Sequence, residues 1–277
     1  MKTTAQMMAT LESVAKRNMG KMVYTLFLMI ILQSVAASAL LFAVLGFEIR
    51  TGAFYALEIV AAVVTLSLHF GFATVLLRMV RDEFVTLGFL FHGFRKPRLS
   101  LPVVVPFLIV LAAVFFASDA IVSNAARDFL AERSGESAMD ALFRAVSVRV
   151  LAFALLAFVF AALPFAFAFF FRIDNPQKTG IWAMWKSLRL SVSRANFIRL
   201  IVFAVKAAGT RLAVAIILSV IISFLSHVKS LGILVMILDF VYFLNAYTAA
   251  IRILLSVAVM YDSLTETKTG QLIAIEA

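Results

Sequence analysis

The 277-residue chain has no cysteine, and it has only three histidines, five prolines and two tryptophans. Without cysteine there is no disulfide framework, no thiolate metal site and no Cys nucleophile. The histidines, His69, His92 and His227, are scattered, with no second histidine or acid at metal-ligand spacing. Neither a metal nor a cofactor is therefore expected. Charge is also scarce: 14% of residues are charged, against about 25% in an ordinary soluble domain. No Gly-rich phosphate loop, nucleophile elbow or paired-carboxylate arrangement occurs, so no catalytic residue is assigned and the reading leans away from an enzyme.

What is present is apolar. Hydrophobic residues make up 64% of the chain, and its 28 phenylalanines outnumber its 25 lysines and arginines. A water-soluble globule has too little polar material here to cover its surface, which leaves a lipid-embedded protein. Six apolar stretches are long enough for about 20 helical residues each, the length that crosses ~30 Å of hydrocarbon. They lie near 23–46, 54–79, 101–122, 147–171, 200–226 and 231–260. The expected fold is an all-α polytopic transmembrane bundle of six spans, one integral membrane domain over 1–277. Ala37-Ser38-Ala39 resembles a signal-peptide cleavage site, but the apolar run continues through Leu45, so the segment reads as a span.

The net charge of +10 has a direction. Lys2, Lys16, Arg17 and Lys21 precede the first span; Arg78, Arg81, Arg95, Lys96 and Arg98 lie between the second and third. Arg172, Lys178, Lys186, Arg189, Arg194 and Arg199 lie between the fourth and fifth, and Lys268 is in the tail. These sixteen face only six on the other side: Arg50, Arg127, Arg133, Arg144, Arg149 and Lys229. The positive-inside rule then puts both termini in the cytoplasm, as does alternation through six spans. The charge reads as topology and attraction to anionic lipid, with no nucleic-acid partner implied.

Little material is left outside the spans. The outer loop 123–146 reads as two short helical pieces broken at Ser134-Gly135. Residues 181–199 read as one basic amphipathic helix lying along the inner leaflet, with Ile181, Trp185, Leu188 and Val192 on its apolar face. Trp182 and Trp185 are expected at headgroup depth. Ser13-Val14-Ala15-Lys16-Arg17-Asn18 echoes Ser191-Val192-Ser193-Arg194-Ala195-Asn196. The echo is either a duplicated hairpin or two solutions to one problem, a basic run before a span.

Ionisable residues within spans mark candidate sites, because charge in lipid is costly. Glu58, Asp119, Lys206 and Arg252 lie near span ends, where dipole or snorkelling explanations suffice. His69, Arg211 and Asp239 are further in and form the candidate intramembrane polar cluster, with Arg211 paired to Asp239 directly or through water. The candidate contacts for anionic headgroups are Arg95, Lys96, Arg98, Lys186, Arg189, Arg194 and Arg199. Pro106 and Pro164 are expected to kink the third and fourth spans.

Three stretches carry a resemblance: Ala15 to Lys21, Gly71-Phe72 through Phe91-His92-Gly93-Phe94-Arg95, and Ala183 to Ser191 running on through Asn196 to Leu200, with Val259-Met260-Tyr261-Asp262 closing the pattern. Together they resemble a family of uncharacterised bacterial six-helix integral membrane proteins. That family is similar to the membrane domain fused to some glycerophosphodiester phosphodiesterases. The chain departs from it at Ala195-Asn196, where a glycine is expected. The resemblance implies a bacterial inner-membrane location and carries over no catalytic residue.

Three function classes follow. The preferred one is a non-enzymatic inner-membrane protein that binds lipid or a partner membrane protein. The second is a small transporter or channel component, oligomeric, using the His69/Arg211/Asp239 level. The third, least supported, is a lipid-modifying enzyme with Arg95, Lys96 and Arg98 as headgroup ligands.

Overall fold

A computed structural model describes residues 2–46, 52–131, 165–225 and 232–276. Among these residues the chain is helical with no strand, an all-α polytopic bundle. Five helices are long and apolar enough to cross a membrane, over Thr4–Val35, Ile59–Val80, Pro97–Val114, Ala195–Leu225 and Ile233–Thr265. They overlap five of the six expected spans. The fourth, 147–171, falls outside the described residues as far as 164, as do Ser134-Gly135, Pro164 and His227.

The described residues form two compact units, one of Met1–Arg95 with Ser193–Ala277, the other of Lys96–Val192. Hydropathy, which sees only a series of apolar stretches, does not announce this division. The first unit contains α1 (Thr4–Gly46), α2 (Gly52–Val80), a short 3-10 turn (Leu87–Phe91) and α3 (His92–Arg95). The second holds α4 (Pro97–Ala131), α5 (Ala168–Asp174) and α6 (Gly180–Ser191). The first unit resumes with α7 (Arg194–Leu225) and α8 (Gly232–Glu276).

The helices overrun the expected spans. With 43 residues in α1 and 45 in α8, each is roughly 65 Å long at ~1.5 Å per residue, twice the hydrocarbon thickness. The residues before 23 and after 260 are therefore helical extensions of the spans. Likewise α4 continues unbroken to Ala131, past the expected end at 122.

Local chemistry explains the helix ends. Thr3 and Gln6 cap α1 reciprocally: the Thr3 N–H donates to Gln6 Oε1 at 2.8 Å and the Gln6 N–H to Thr3 Oγ1 at 3.2 Å. Helix α2 stops at Asp82, which takes the left-handed conformation with φ 59°. The Glu83 N–H then donates to the Arg78 carbonyl at 2.9 Å and the Asp82 N–H to that of Met79 at 3.3 Å, the paired bonds of a Schellman ending.

Beyond that turn the chain doubles back along α2. Gly71 lies so close to the Leu90 backbone, and Gly93 to that of Ser67, that a Cβ at either position would overlap a carbonyl oxygen. Leu87–Phe91 and His92–Arg95 thus form a return strap packed on α2, a role for which only hydrogen at Cα of Gly71 and Gly93 leaves room.

The core of this unit sits toward the end that carries the termini. Met7 and Leu11 of α1, Phe70, Leu76 and Met79 of α2, and Leu255, Met260 and Tyr261 of α8 are all fully buried or nearly so. Ser263 Oγ donates to Met7 Sδ at 3.3 Å, which places the start of α1 beside the far part of α8. Ion pairs join the same helices: Arg17–Asp82 at 2.8 Å, Arg81–Asp262 at 3.0 Å, and Arg252–Glu12 at 2.8 Å. Helices α7 and α8 pack antiparallel, with Arg211 opposite Asn245 and the Arg252 guanidinium on the Ala207 carbonyl.

The two echoing sequences occupy unlike places. Residues 13–18 lie within uninterrupted α1, whereas 191–196 cross the break between α6 and α7. Local structural equivalence, which a duplicated hairpin would show, is absent between them.

Candidate membrane-surface site

The expected amphipathic helix 181–199 is two pieces. Helix α6 ends at Ser191, Val192 and Ser193 form a bend, and residues from 194 onward belong to α7. Thr179 starts α6 by accepting the Trp182 N–H on its side-chain oxygen at 3.2 Å.

Two prolines in α4 explain how α6 is held. A proline has no N–H for the carbonyl four residues earlier, so Pro102 frees the carbonyl of Arg98 and Pro106 frees that of Pro102. Both receive a neighbour. The Arg98 carbonyl accepts from the Arg172 guanidinium at 2.9 Å. The Pro102 carbonyl lies against Gly180, where a Cβ would overlap it.

Arg172 does more than fill one gap. Its Nε donates to Leu99 O at 3.0 Å, and a terminal nitrogen reaches the carbonyls of Pro176 at 2.8 Å, Asn175 at 3.4 Å and Lys178. One buried guanidinium thereby ties the start of α4 to the connector that leads into α6. Burial lowers its pKa from the ordinary guanidinium value, which still leaves it charged. Carbonyl acceptors suit this planar fork of donors, which lysine lacks.

The resulting orientation of α6 decides its chemistry. Gly180, Ala183, Met184, Ser187 and Ser191 face inward and are buried. Ala183 and Met184 join Val103 and Ala168 in the core, with Phe107, Phe169 and Phe171 packed around them. Ser187 Oγ accepts the Phe167 N–H at 3.0 Å. Three of the four residues of the expected apolar face point the other way: Ile181 is 69% exposed, Trp185 62% and Val192, just past the helix, 63%, whereas Leu188 is half-buried. The two tryptophans diverge, since Trp182 packs edge-on against Phe171 with ring centroids 6.1 Å apart. Lys186 reaches over the Trp182 ring, 6.0 Å from its centroid, while Lys178 and Arg189 are exposed. The surface is an apolar stripe with basic neighbours.

The other expected lipid contacts are dispersed. Lys96 and Arg98 belong to the same unit as α6 and are exposed, and so is Arg95 in the other unit. Arg199 is engaged, its guanidinium donating to the Lys2 carbonyl. Arg194 is the first residue of α7, and its side chain lies outside the described residues.

Among the described residues no direct hydrogen bond or ion pair joins the three members of the expected polar cluster. His69 Nδ1 lies 2.8 Å from the Thr65 carbonyl and 3.4 Å from Gln33 Nε2 on α1. Arg211 donates to Asn245 Oδ1 at 3.2 Å and, among the described residues, forms no ion pair with Asp239. Arg211 and Asp239 are both exposed, whereas His69 is half-buried. The physical reason is register. Arg211 is fourteen residues before the end of α7 and Asn245 thirteen after the start of α8, so the two stand level, while Asp239 is seven after that start. Arg252 is more than a snorkelling cation, because both its terminal nitrogens hold Glu12, at 2.8 and 3.0 Å. Among the described residues no three His, Asp or Glu side chains gather as a metal site.

Fold and surface together define a multi-pass, all-α membrane protein with an outward-facing amphipathic helix. Compared with known proteins, the chain matches no family model, no curated protein and no solved structure.

Proposed function

We propose that this protein is a non-enzymatic inner-membrane protein that binds anionic phospholipid through α6 on the cytoplasmic side. The observation that supports this reading is the outward orientation of Ile181, Trp185 and Val192 beside Lys178, Lys186 and Arg189. Burying a large apolar side chain contributes about 1.5–3 kcal/mol, and each basic residue near an anionic leaflet adds about 1 kcal/mol. A stripe of this kind lies in the plane of the headgroups, apolar side toward the acyl chains and ammonium or guanidinium groups toward phosphate. The charge asymmetry supports the cytoplasmic assignment. Kinship with the six-helix family similar to the phosphodiesterase membrane domain is kept as part of this proposal. The lipid reading is preferred over transport because Arg211, among the described residues, donates to Asn245 and not directly to Asp239.

The test places full-length Trp182→Phe protein, whose one remaining tryptophan is Trp185, in nanodiscs with brominated acyl chains. Trp185 fluorescence is expected to be quenched, more strongly with anionic than with zwitterionic lipid, and Lys186→Gln/Arg189→Gln removes the difference. Absence of quenching, or quenching indifferent to lipid charge, overturns the proposal.

A further inference from the structure

A second feature lies in the first unit and does not depend on the function proposed for α6. Glu12, Ser13, Ala15, Lys16 and Met19 of α1 and Arg252 of α8 line a cleft of about 450 Å³, within the ~300–1,000 Å³ of small-molecule sites. Glu12, Lys16 and Met19 recur at four and three residues, so they share one face of α1.

Three counts place the cleft at one boundary of the hydrocarbon. Arg252 is twenty residues into α8, or ~30 Å at ~1.5 Å per residue, the full hydrocarbon thickness. Ala207, whose carbonyl binds Arg252, is eighteen residues from the end of α7, which is ~27 Å by the same rise. On α1, Lys16 and Lys21 directly precede the apolar run. The cleft is at the depth of lipid headgroups.

Its charges are of both signs and unequally engaged. The Glu12 carboxylate receives Arg252 through two hydrogen bonds, and the adjoining Nε of Arg252 is buried without an acceptor. Lys16 is exposed and unpaired among the described residues. A phosphate is drawn to Lys16, the exposed cation of the cleft. A purely anionic headgroup is opposed by Glu12 on the same helix face, whereas a primary ammonium complements it with three N–H donors. We infer that this cleft binds a phosphate-and-primary-ammonium headgroup, that of a zwitterionic aminophospholipid, with the phosphate on Lys16 and the ammonium on the exposed Glu12 carboxylate. Ala15 and Met19 supply the apolar wall on which the glycerol end rests.

The experiment is native mass spectrometry in detergent of full-length Lys186→Gln/Arg189→Gln protein, which removes the α6 cations, titrated with phosphatidylethanolamine, phosphatidylcholine, phosphatidylglycerol or free phosphoethanolamine. Phosphatidylethanolamine is expected to bind tightest, and phosphatidylcholine, which has no N–H on its quaternary nitrogen, more weakly. Lys16→Ala, a change at an exposed position, weakens phosphatidylethanolamine about tenfold, as loss of one charge-assisted contact implies. Glu12→Gln shifts the preference toward phosphatidylglycerol. Binding of free phosphoethanolamine as tight as the lipid reassigns the site to a soluble ligand and overturns the lipid assignment. Equal or tighter phosphatidylglycerol binding by the Lys186→Gln/Arg189→Gln protein, or no effect of Lys16→Ala, overturns the inference outright. Lys186→Gln/Arg189→Gln leaves phosphatidylethanolamine binding unchanged, which separates this site from α6.

Discussion

Two regions of the first unit contain the same kinds of large apolar side chain and are opposite in structure. Toward the termini, α1, α2 and α8 interlock around Met7, Phe70, Leu76 and Tyr261, with polar pairs such as Arg81–Asp262 on the margin. Toward the α7–α8 connection, the same kinds of side chain, among them Ile216, Phe224, Ile233, Met236 and Phe240, face outward. In water the second region would drive aggregation. In lipid it has no reason to be covered, since acyl chains are as apolar as leucine. The difference teaches that stability here is concentrated where the helices leave the hydrocarbon, and that the hairpin arm is held mainly by its own two helices.

Substitutions at matched positions test this contrast. The largest effect is expected at Gly71, where Gly71→Val drives a side chain into the Leu90 backbone and leaves little folded protein by fluorescence-detected size exclusion. Gly209→Ala in α7, with open space around it, is neutral or stabilising by up to about 1 kcal/mol. Next, Tyr261→Ala costs about 4 kcal/mol because it empties a fully buried site. Phe224→Ala on the arm shifts the thermal midpoint in detergent hardly at all, and an equal loss at both positions would break the comparison. Third, Asp262→Ala removes the partner of half-buried Arg81 and costs about 2 kcal/mol, whereas Asp239→Asn on the exposed arm changes stability by less than about 0.5 kcal/mol. The smallest concerns the turn that ends α2. Asp82→Gly keeps the left-handed ending, and Asp82→Val costs about 1–2 kcal/mol in the same thermal assay.

Five of the six expected spans were legible because hydropathy reports the solvent, and a ~20-residue apolar run in lipid has to be helical. The face of α6 was legible too: Ile181, Trp185 and Val192 have helical spacing, and the structure turns that face outward. Its extent was not, since nothing in 181–199 marks Val192-Ser193 as a break. The partner of Arg211 was missed for a definite reason. A search confined to ionisable groups passes over Asn245, although counting from the helix ends puts it level with Arg211. Arg172 looked like one more basic residue of the inner belt. The available signal was the proline pair, because Pro102 and Pro106 leave α4 with two carbonyls in need of neighbours. The Glu12–Arg252 cleft had no signal, since its members are 240 residues apart.

By itself the sequence determined the solvent of this protein and the helical state of its described spans, both of which follow from composition and period. Only the tertiary structure decided which apolar faces form a core and which meet lipid, and which cations are already taken, as Arg172 and Arg199 are and Lys16 is not. The reason is that hydropathy is a property of one residue, whereas burial and pairing depend on helix rotation and register, which shift by a whole face within two residues.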